Sequence, residues 1–376
     1  MDTITLPFRV KEPVLACGGD LKGAFSLAKG SRAVLVGGFG DLSDIDNLAR
    51  YENAIHKLEK KLKINPKIIV CDKHPGYYST RFAESHCQKI KGSFLCRAQH
   101  HEAHIASAVI DNSIKGEVVG VAFDGTGLGD DGNMWGGEFF IGSGGNFRRA
   151  GHLDYLPMPG MDMVVREPWR MAASYLYRAY GADMIKLKIP FIRGMDKKRW
   201  AILKRMVDTK LNSPLSSSAG RLFDAVGSMI LLKNNAAFEA ELPIELERLA
   251  DRSCEDLYDL DIRREGSMTV VDLSRIIKGI VKDISKGAVK SLVSSKFHNA
   301  VAGVISAVSM DLRKRYGIKK VVMSGGVFQN KYLSGKAGLM LKEHGFDVYG
   351  HSRIPASDSG LPIGQIAIAN RGRSCA

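Results

Sequence analysis

Two stretches decide the reading of this chain: Gln99-His100-His101-Glu102-Ala103-His104-Ile105-Ala106, and Val118-Val119-Gly120-Val121-Ala122-Phe123-Asp124-Gly125-Thr126-Gly127-Leu128-Gly129. Histidines at i and i+4 share one helix face, so His100 and His104 can offer two nitrogens to one cation. Val118–Phe123 is an apolar run of strand length that leads straight into Asp124. The glycine-rich turn expected there would let backbone N–H groups approach phosphates. Metal ligands beside a phosphate loop point to an enzyme that handles a nucleotide. The spacing alone is also that of a helix-surface pair or of two core histidines. The strand, aspartate and glycine turn that follow favour ligands. Asp124 and Asp358, in Pro355-Ala356-Ser357-Asp358-Ser359-Gly360, are the candidate third ligands for a borderline metal.

Working outward, the first 40 residues alternate short apolar runs with glycines and read as a β-hairpin or meander. Residues 46–62 have helical spacing, with Leu48, Ile55, Leu58 and Leu62 on one face. Ile68–Cys71 reads as a buried strand. A second cycle begins at Val118, with return strands at Trp135–Ile141 and Asn146–His152. Residues from about 165 to 312 read as largely helical, broken near Ser213-Pro214 and Leu242-Pro243. Lys320–Asn330 reads as a strand, the turn Ser324-Gly325-Gly326-Val327 and a helix start. Another strand (Phe346–Tyr349) and a last helix (Ile363–Asn370) follow. Two rounds of meander and strand–helix units imply an α/β fold of two similar lobes facing a cleft, the layout of actin-like ATPases. The expected division is 1–113 and 114–376, with the helical insertion of about 165–312 in the second lobe.

The chain has 376 residues, 45% hydrophobic and 25% charged, ordinary values for a globular protein with a real core. No apolar run reaches the roughly 18 residues of a membrane span. Met1-Asp2-Thr3-Ile4-Thr5 lacks a basic and apolar leader, so the expectation is a cytoplasmic protein with no membrane partner. Six cysteines without a C-x-x-C pair read as reduced thiols, not a zinc ribbon or redox dithiol. The net charge of +14 would attract anions. Its lysines and arginines are dispersed and lack interleaved aromatics, which argues against a nucleic-acid partner.

Gly125-Thr126-Gly127 and Gly325-Gly326 sit at comparable places in the two cycles. Neither is a Walker A loop or a Rossmann fingerprint, and together they favour a nucleotide cleft over two plain hairpins. Arg166-Glu167-Pro168-Trp169-Arg170 offers an arginine pair around Trp169 that can clamp an anion, or else a helix start with Pro168 at its first position. Ser216–Asp224 reads as a capped helix start, with Asp224 facing the cleft or merely following the cap. No Gly-x-Ser-x-Gly elbow is present and no cysteine has an evident base beside it. The attacking group is therefore expected to belong to a substrate.

These motifs resemble the C-terminal carbamoyltransferase region of the HypF family of [NiFe]-hydrogenase maturation factors. The resemblance covers nearly the whole chain: Leu15–Lys22, Gly40-Asp41-Leu42, His74-Pro75, Tyr78–Arg81, Gln99–His104, Phe123–Gly132, Trp135–Glu138, Arg166–Ala172, Gly220–Val226, Phe297-His298-Asn299, Ser324–Asn330, Asp358 and Gly364-Gln365. It implies the actin-like fold shared with TsaD-like transferases. It also implies transfer of a carbamoyl group from carbamoyl-adenylate to the C-terminal cysteine of a HypE-like acceptor, for cyanide-ligand synthesis. Carried over, His100, His104, Asp124 and Asp358 would bind a divalent metal (Fe, Zn or Mn), with the first three as the catalytic set. Asp20, Lys22, Gly125, Thr126, Gly127, Gly325, Gly326 and Asn330 would surround an adenine nucleotide (carbamoyl-AMP, ATP or ADP). His101 and Glu102 are candidate bases for the incoming thiol. The family's acylphosphatase, zinc-finger and adenylate-forming parts would precede Met1, so this stretch is expected to transfer and to depend on a carbamoyl-adenylate-forming domain or protein. Departures from the family pattern are Gly23 for asparagine, Glu102 for histidine, Ser359 for glycine, and Pro362-Ile363 for alanine-leucine. Rival readings are transfer to tRNA or to a small hydroxyl compound, and a non-catalytic nucleotide-binding scaffold.

Overall fold

The structure, a computed structural model, describes residues 1–371. Cys375 lies outside them. The first sheet holds β1 (Asp2–Ala16), β2 (Phe25–Val36), β3 (Ile68–Asp72) and β4 (Phe94–Ala98), in the order β2-β1-β3-β4. Helices α1 (Ile45–Leu62) and α2 (Tyr78–Lys89) connect its strands, and α3 (His100–Asp111) leads out of it. The second sheet starts with β5 (Val118–Leu128), β6 (Met134–Ser143) and β7 (Asn146–Leu153). A long excursion follows: β8 (Leu156–Pro157), α4 (Met163–Arg166), α5 (Trp169–Tyr180), α6 (Pro190–Arg193), α7 (Lys197–Asp208), β9 (Leu215–Ser216), α8 (Ala219–Leu231), α9 (Glu241–Leu249), β10 (Asp261–Glu265), β11 (Met268–Asp272), α10 (Ser274–Ser285) and α11 (Lys290–Tyr316). The chain returns through β12 (Lys320–Ser324), α12 (Lys331–Glu343), β13 (Asp347–Tyr349) and α13 (Leu361–Ala369).

The two sheets share one plan. In each, an antiparallel pair (β1–β2, β5–β6) is extended by parallel strands (β3 and β4, β12 and β13) from its first strand. This is the two-lobed actin-like α/β arrangement. Helices α3 and α13 lie back to back between the lobes: α13 packs on β1–β4, and α3 packs on β5, β6 and β12. One apolar cluster runs through both, from Val14 and Val70 through Ile105 and Ile363 to Val322. Close approach of the helices requires Gly364, where a Cβ would lie 1.8 Å from the Ala103 carbonyl oxygen. Beside it, Gln365 pairs with the Gly18 backbone, accepting from N–H at 2.8 Å and donating to the carbonyl at 3.1 Å.

The first 40 residues form the expected hairpin, with Phe25–Val36 a single strand, β2, paired along β1. Other expectations need revision. The 165–312 stretch is not purely helical: β10 and β11 form a hairpin around Gly266, which adopts φ +61°, and β11 joins β7 in parallel. That partner lies over a hundred residues upstream, beyond the reach of local periodicity. Leu242-Pro243 does not break a helix but opens α9, where a missing proline N–H costs no hydrogen bond. On α1 the inward face is Tyr51, Ile55 and Leu58, while Leu62 is exposed; the Tyr51 hydroxyl donates to the Cys17 carbonyl at 2.7 Å. Some of the dispersed basic residues sit in last turns, Lys60 and Lys61 on α1 and Arg313, Lys314 and Arg315 on α11, where cations complement the helix dipole. Among the described residues, no helix is long and apolar enough to cross a membrane.

Behind the cleft, Asn330 caps α12, accepting from Leu333 N–H at 2.8 Å, and its amide meets His298 Nε2 of α11 at 2.9 Å. His298 Nδ1 lies 2.8 Å from the Ser294 carbonyl, so Nδ1 carries the proton and Nε2 accepts. Burial pushes the His298 pKa down to about 4.

Two predictions follow from this packing. Gly364→Ala should destabilise the protein by at least about 1–3 kcal/mol, because the new methyl meets backbone and not a mobile side chain; an unchanged urea midpoint would contradict the α3–α13 contact. Stability should also fall as pH drops from about 6.5 to 4, where the unfolded chain protonates His298 and the folded one does not; the full difference is about 3 kcal/mol. His298→Gln should flatten that dependence relative to the parent in urea titrations across the same pH range.

Candidate metal centre and nucleotide cleft

The candidate centre forms where α3, β5 and the start of α13 meet. Gln99 caps α3, its side-chain oxygen accepting from His101 N–H at 2.6 Å and Glu102 N–H at 3.1 Å. This fixes the first turn, so that His100 and His104 stand one turn apart with ring centroids 4.9 Å apart. Both are 1% exposed. Their Nε2 atoms have no hydrogen-bond partner among the described residues. Instead they face two carboxylates: Asp124 Oδ2 at 3.4 and 3.5 Å, and Asp358 Oδ1 at 3.6 and 3.4 Å, from His100 and His104 respectively. The four donor atoms all lie within 4.8 Å of one another. Two buried imidazole nitrogens left unpaired between two carboxylates fit a borderline divalent cation.

Asp124 reaches this point through a bulge. Between Phe123 and Gly127, β5 takes four steps while its partner β6 takes two, from Gly137 to Trp135. The glycine run is therefore an irregular continuation of the strand, not a turn after it. Small residues on every side permit the bulge. A Cβ on Gly136 would lie 2.8 Å from the Asp124 carbonyl, and one on Gly220 would lie 3.0 Å from Gly125 Cα. Ser218, the cap of α8, donates to the Gly125 carbonyl and accepts from Arg221 N–H at 3.0 Å. Gly127 leaves room for the histidine rings, since a Cβ there would meet His101 at 2.8 Å and His100 at 3.0 Å. Gly325 adopts φ +105°, which lets Gly326 N–H donate to Asp124 Oδ1 at 2.7 Å. Oδ2 is thereby left to the histidines.

Sequence reasoning missed Asp72. At the end of β3 it is 1% exposed, and its Oδ2 lies 2.7 Å from His100 Nδ1. A proton on Nδ1 fixes the tautomer that presents Nε2 as a lone pair. Its signal was available: Asp72 closes the apolar run Ile68–Cys71 as Asp124 closes Val118–Phe123. Burial opposes charge on His100, but Asp72, Asp124 and Asp358 together hold its pKa well above the usual value. Burial likewise opposes charge on Asp124 and Asp358, yet the two histidines hold both pKa values below the carboxylate range.

The other sequence candidates are spread along the cleft. Asp20 accepts from Tyr78 N–H at 2.7 Å and from Ser79 N–H and Oγ at 2.9 and 2.8 Å, so its carboxylate caps α2. Lys22 reaches across from the first lobe to Glu239 at 2.9 Å, half-exposed, and feels the charges of Asp358 and Asp124. Gly125 and Thr126 are partly open in an otherwise buried strand, and Arg221 approaches Gly125. Arg221 pairs with Asp224 at 3.0 Å, and burial raises the Asp224 pKa to about 6. Asn330 is engaged by α12 and His298, as described above. His101 is fully buried against His100 and Trp135, and burial holds its pKa well below the usual value. Glu102 is paired with Arg371 at 3.1 Å.

Of the two readings of Arg166–Arg170, the helix start forms, as α5, and Arg166 does not join Arg170 in a clamp around Trp169. Glu167 binds Arg170 at 2.5 Å and Arg199 at 2.6 Å, these two arginines flank Trp169, and Arg166 is exposed. Pro168 stands at the cap of α5, one place before the first helical position. Two departures from the family pattern have a structural setting. Gly23 has φ +39° and a Cβ there would lie 2.6 Å from the Gly40 carbonyl oxygen, so this backbone suits glycine, and Pro362 lies in the first turn of α13. Cys17 and Cys71 are buried thiols outside any disulfide, and burial pushes Cys71 up to about 12.

Comparison with known proteins places this geometry. Residues 9–111 match the family described as HypF Kae1-like domain, and residues 120–365 match the carbamoyltransferase, Kae1-like domain, second subdomain. A Cupriavidus necator protein named carbamoyltransferase HypF homolog is 32% identical, over 96% of this chain and 92% of that protein. The carbamoyltransferase HypF of Synechocystis is 32% identical over 96% of this chain, which spans 48% of that relative's length. A crystal structure of full-length HypF in a phosphate- and nucleotide-bound form superposes with a TM-score of 0.92 at 35% identity, over 98% of this chain and 57% of that one. With matches over both lobes and a relative of nearly its own length, the chain belongs to the HypF carbamoyltransferase family and corresponds to its C-terminal, Kae1-like region.

Proposed function

We propose that this chain carries out the carbamoyl-transfer step of [NiFe]-hydrogenase maturation. In this reading it moves the carbamoyl group from carbamoyl-adenylate to the C-terminal cysteine thiol of a HypE-like acceptor. A carbamoyl-adenylate-forming domain or protein supplies the donor. The observation that carries the proposal is the set of four convergent donors, with two buried Nε2 atoms free of protein partners among the described residues. A scaffold without chemistry has no use for that cost, because buried polar atoms are normally hydrogen-bonded.

His100, His104, Asp124 and Asp358 would hold the cation: Fe, Zn or Mn are compatible with two nitrogens and two carboxylates. Bound there, it would act as a Lewis acid on a substrate oxygen. The protein's own part is orientation. Asp72 aims His100, and Gly326 N–H aims Asp124. Glycines 125, 127, 325 and 326 keep side chains away from the floor of the cleft, where the adenine nucleotide would lie. The full-length HypF structure, of which this chain covers 57%, is described as phosphate- and nucleotide-bound, which agrees with nucleotide chemistry in the family. Lys22 is the cation best placed to exchange its half-exposed partner Glu239 for a phosphate. Holding donor and thiol together supplies the proximity term.

Three outcomes check this reading. Incubated with chemically prepared carbamoyl-adenylate and metal, the chain should add the mass of one carbamoyl group to the terminal cysteine of the acceptor; transfer to tRNA instead, or none by folded, metal-loaded protein, overturns it. His104→Ala should lower transfer at least about a hundredfold, since Lewis-acid stabilisation is worth several kcal/mol and about 1.4 kcal/mol is tenfold. Asp72→Ala should weaken divalent-metal affinity by about 10–100-fold while the fold persists, measured by competition with a chelating dye; unchanged affinity would remove Asp72 from the positioning role.

A further inference from the structure

A second group of metal-binding side chains lies on the outer helices of the first lobe. His56 and Glu59 are one turn apart on α1, and His86 faces them from α2. The Glu59 carboxylate addresses both rings at once: Oε1 lies 2.8 Å from His86 Nε2, and Oε2 lies 3.5 Å from His56 Nδ1. The ring centroids are 5.2 Å apart. The His86–Glu59 hydrogen bond by itself accounts for one imidazole. It does not account for the second, which turns its Nδ1 to the other oxygen of the same carboxylate.

Both nitrogens and a carboxylate oxygen lie within 4.8 Å of one another. Around zinc, with bonds of about 2.0–2.1 Å, tetrahedral donors stand about 3.4 Å apart. The His56–Glu59 separation already has that value, so modest side-chain rotation closes the set. Phe82 forms one wall, stacked on the His86 ring at 5.2 Å and edge-on to His56 at 6.0 Å. The cluster is graded in exposure: the His86 side chain is 7% exposed, Glu59 14% and His56 49%. A cation entering from the His56 side would gain three protein ligands and keep an open position for water.

We propose that His56, Glu59 and His86 form a second site for a divalent cation of the zinc class, cross-linking α1 to α2. The site uses none of the residues of the candidate centre and stands independently of the transfer reading. Its cation ties together two helices that flank β3, the strand that ends in Asp72.

The test uses the full chain carrying both His100→Ala and His104→Ala, which leaves the other centre without an imidazole ligand. Equilibrated with Co²⁺, this protein should show visible d–d absorption of a low-coordinate site, and with Zn²⁺ it should retain metal through desalting and unfold at a higher temperature. Adding His56→Ala, a half-exposed position, should abolish the absorption, the retained metal and the thermal shift. Adding His86→Ala should do the same where that variant folds. Absence of retained metal in the chain carrying His100→Ala and His104→Ala overturns the proposal. So do metal content and spectrum that persist undiminished in the His56→Ala chain.

Discussion

The geometry of the candidate centre depends on the contact of Ala103 with Gly364. It brings two helices from distant parts of the sequence closer than any side chain would allow. Helix α3 carries the histidines and rests on the second sheet, while α13 starts just after Asp358 and rests on the first. Their union therefore fixes the distance between ligands that belong to opposite lobes. Gln365, one residue along, secures the same helix to the β1–β2 connection through Gly18, beside the Asp20–Lys22 segment of the cleft. A single methyl in this contact would act on fold and site together.

Electrostatics and packing cooperate at the centre. Three buried ionisable side chains and the partly buried Asp358 stand together, an arrangement that is unfavourable unless charges are compensated. Asp72 and Gly326 N–H each engage one end of a ligand and leave the other end facing inward. The glycines around Asp124 serve the same purpose by steric means. They make space for imidazole rings, a bulged backbone and a close amide.

Much of this was legible in the sequence because it is local. The His100/His104 spacing, the apolar strand before Asp124 and the glycines after Ser324 are short-range patterns, and the structure brings their residues together with Asp358. What periodicity could not show was non-local. The β10–β11 hairpin has its parallel partner in β7, and Asp72 acquires its meaning only when β3 ends beside α3. The bulge in β5 was read as a turn because glycines permit both, and only its pairing with β6 distinguishes them. Around Trp169 the helix start is local and legible, whereas the arginine cluster is not, because Arg199, which completes it with Glu167, comes from another helix.

The ligand order along the chain has a temporal consequence. His100, His104 and Asp124 emerge early, but Asp358 and the helix that positions it lie close to the end of the described sequence. Contacts of such separation form late, because loop closure precedes any gain from them. A chain in which α3 has formed but α13 has not docked lacks the fourth donor of the cluster. Assembly of the candidate centre therefore waits on its contact of longest sequence separation, and the order of docking decides when all four donors converge.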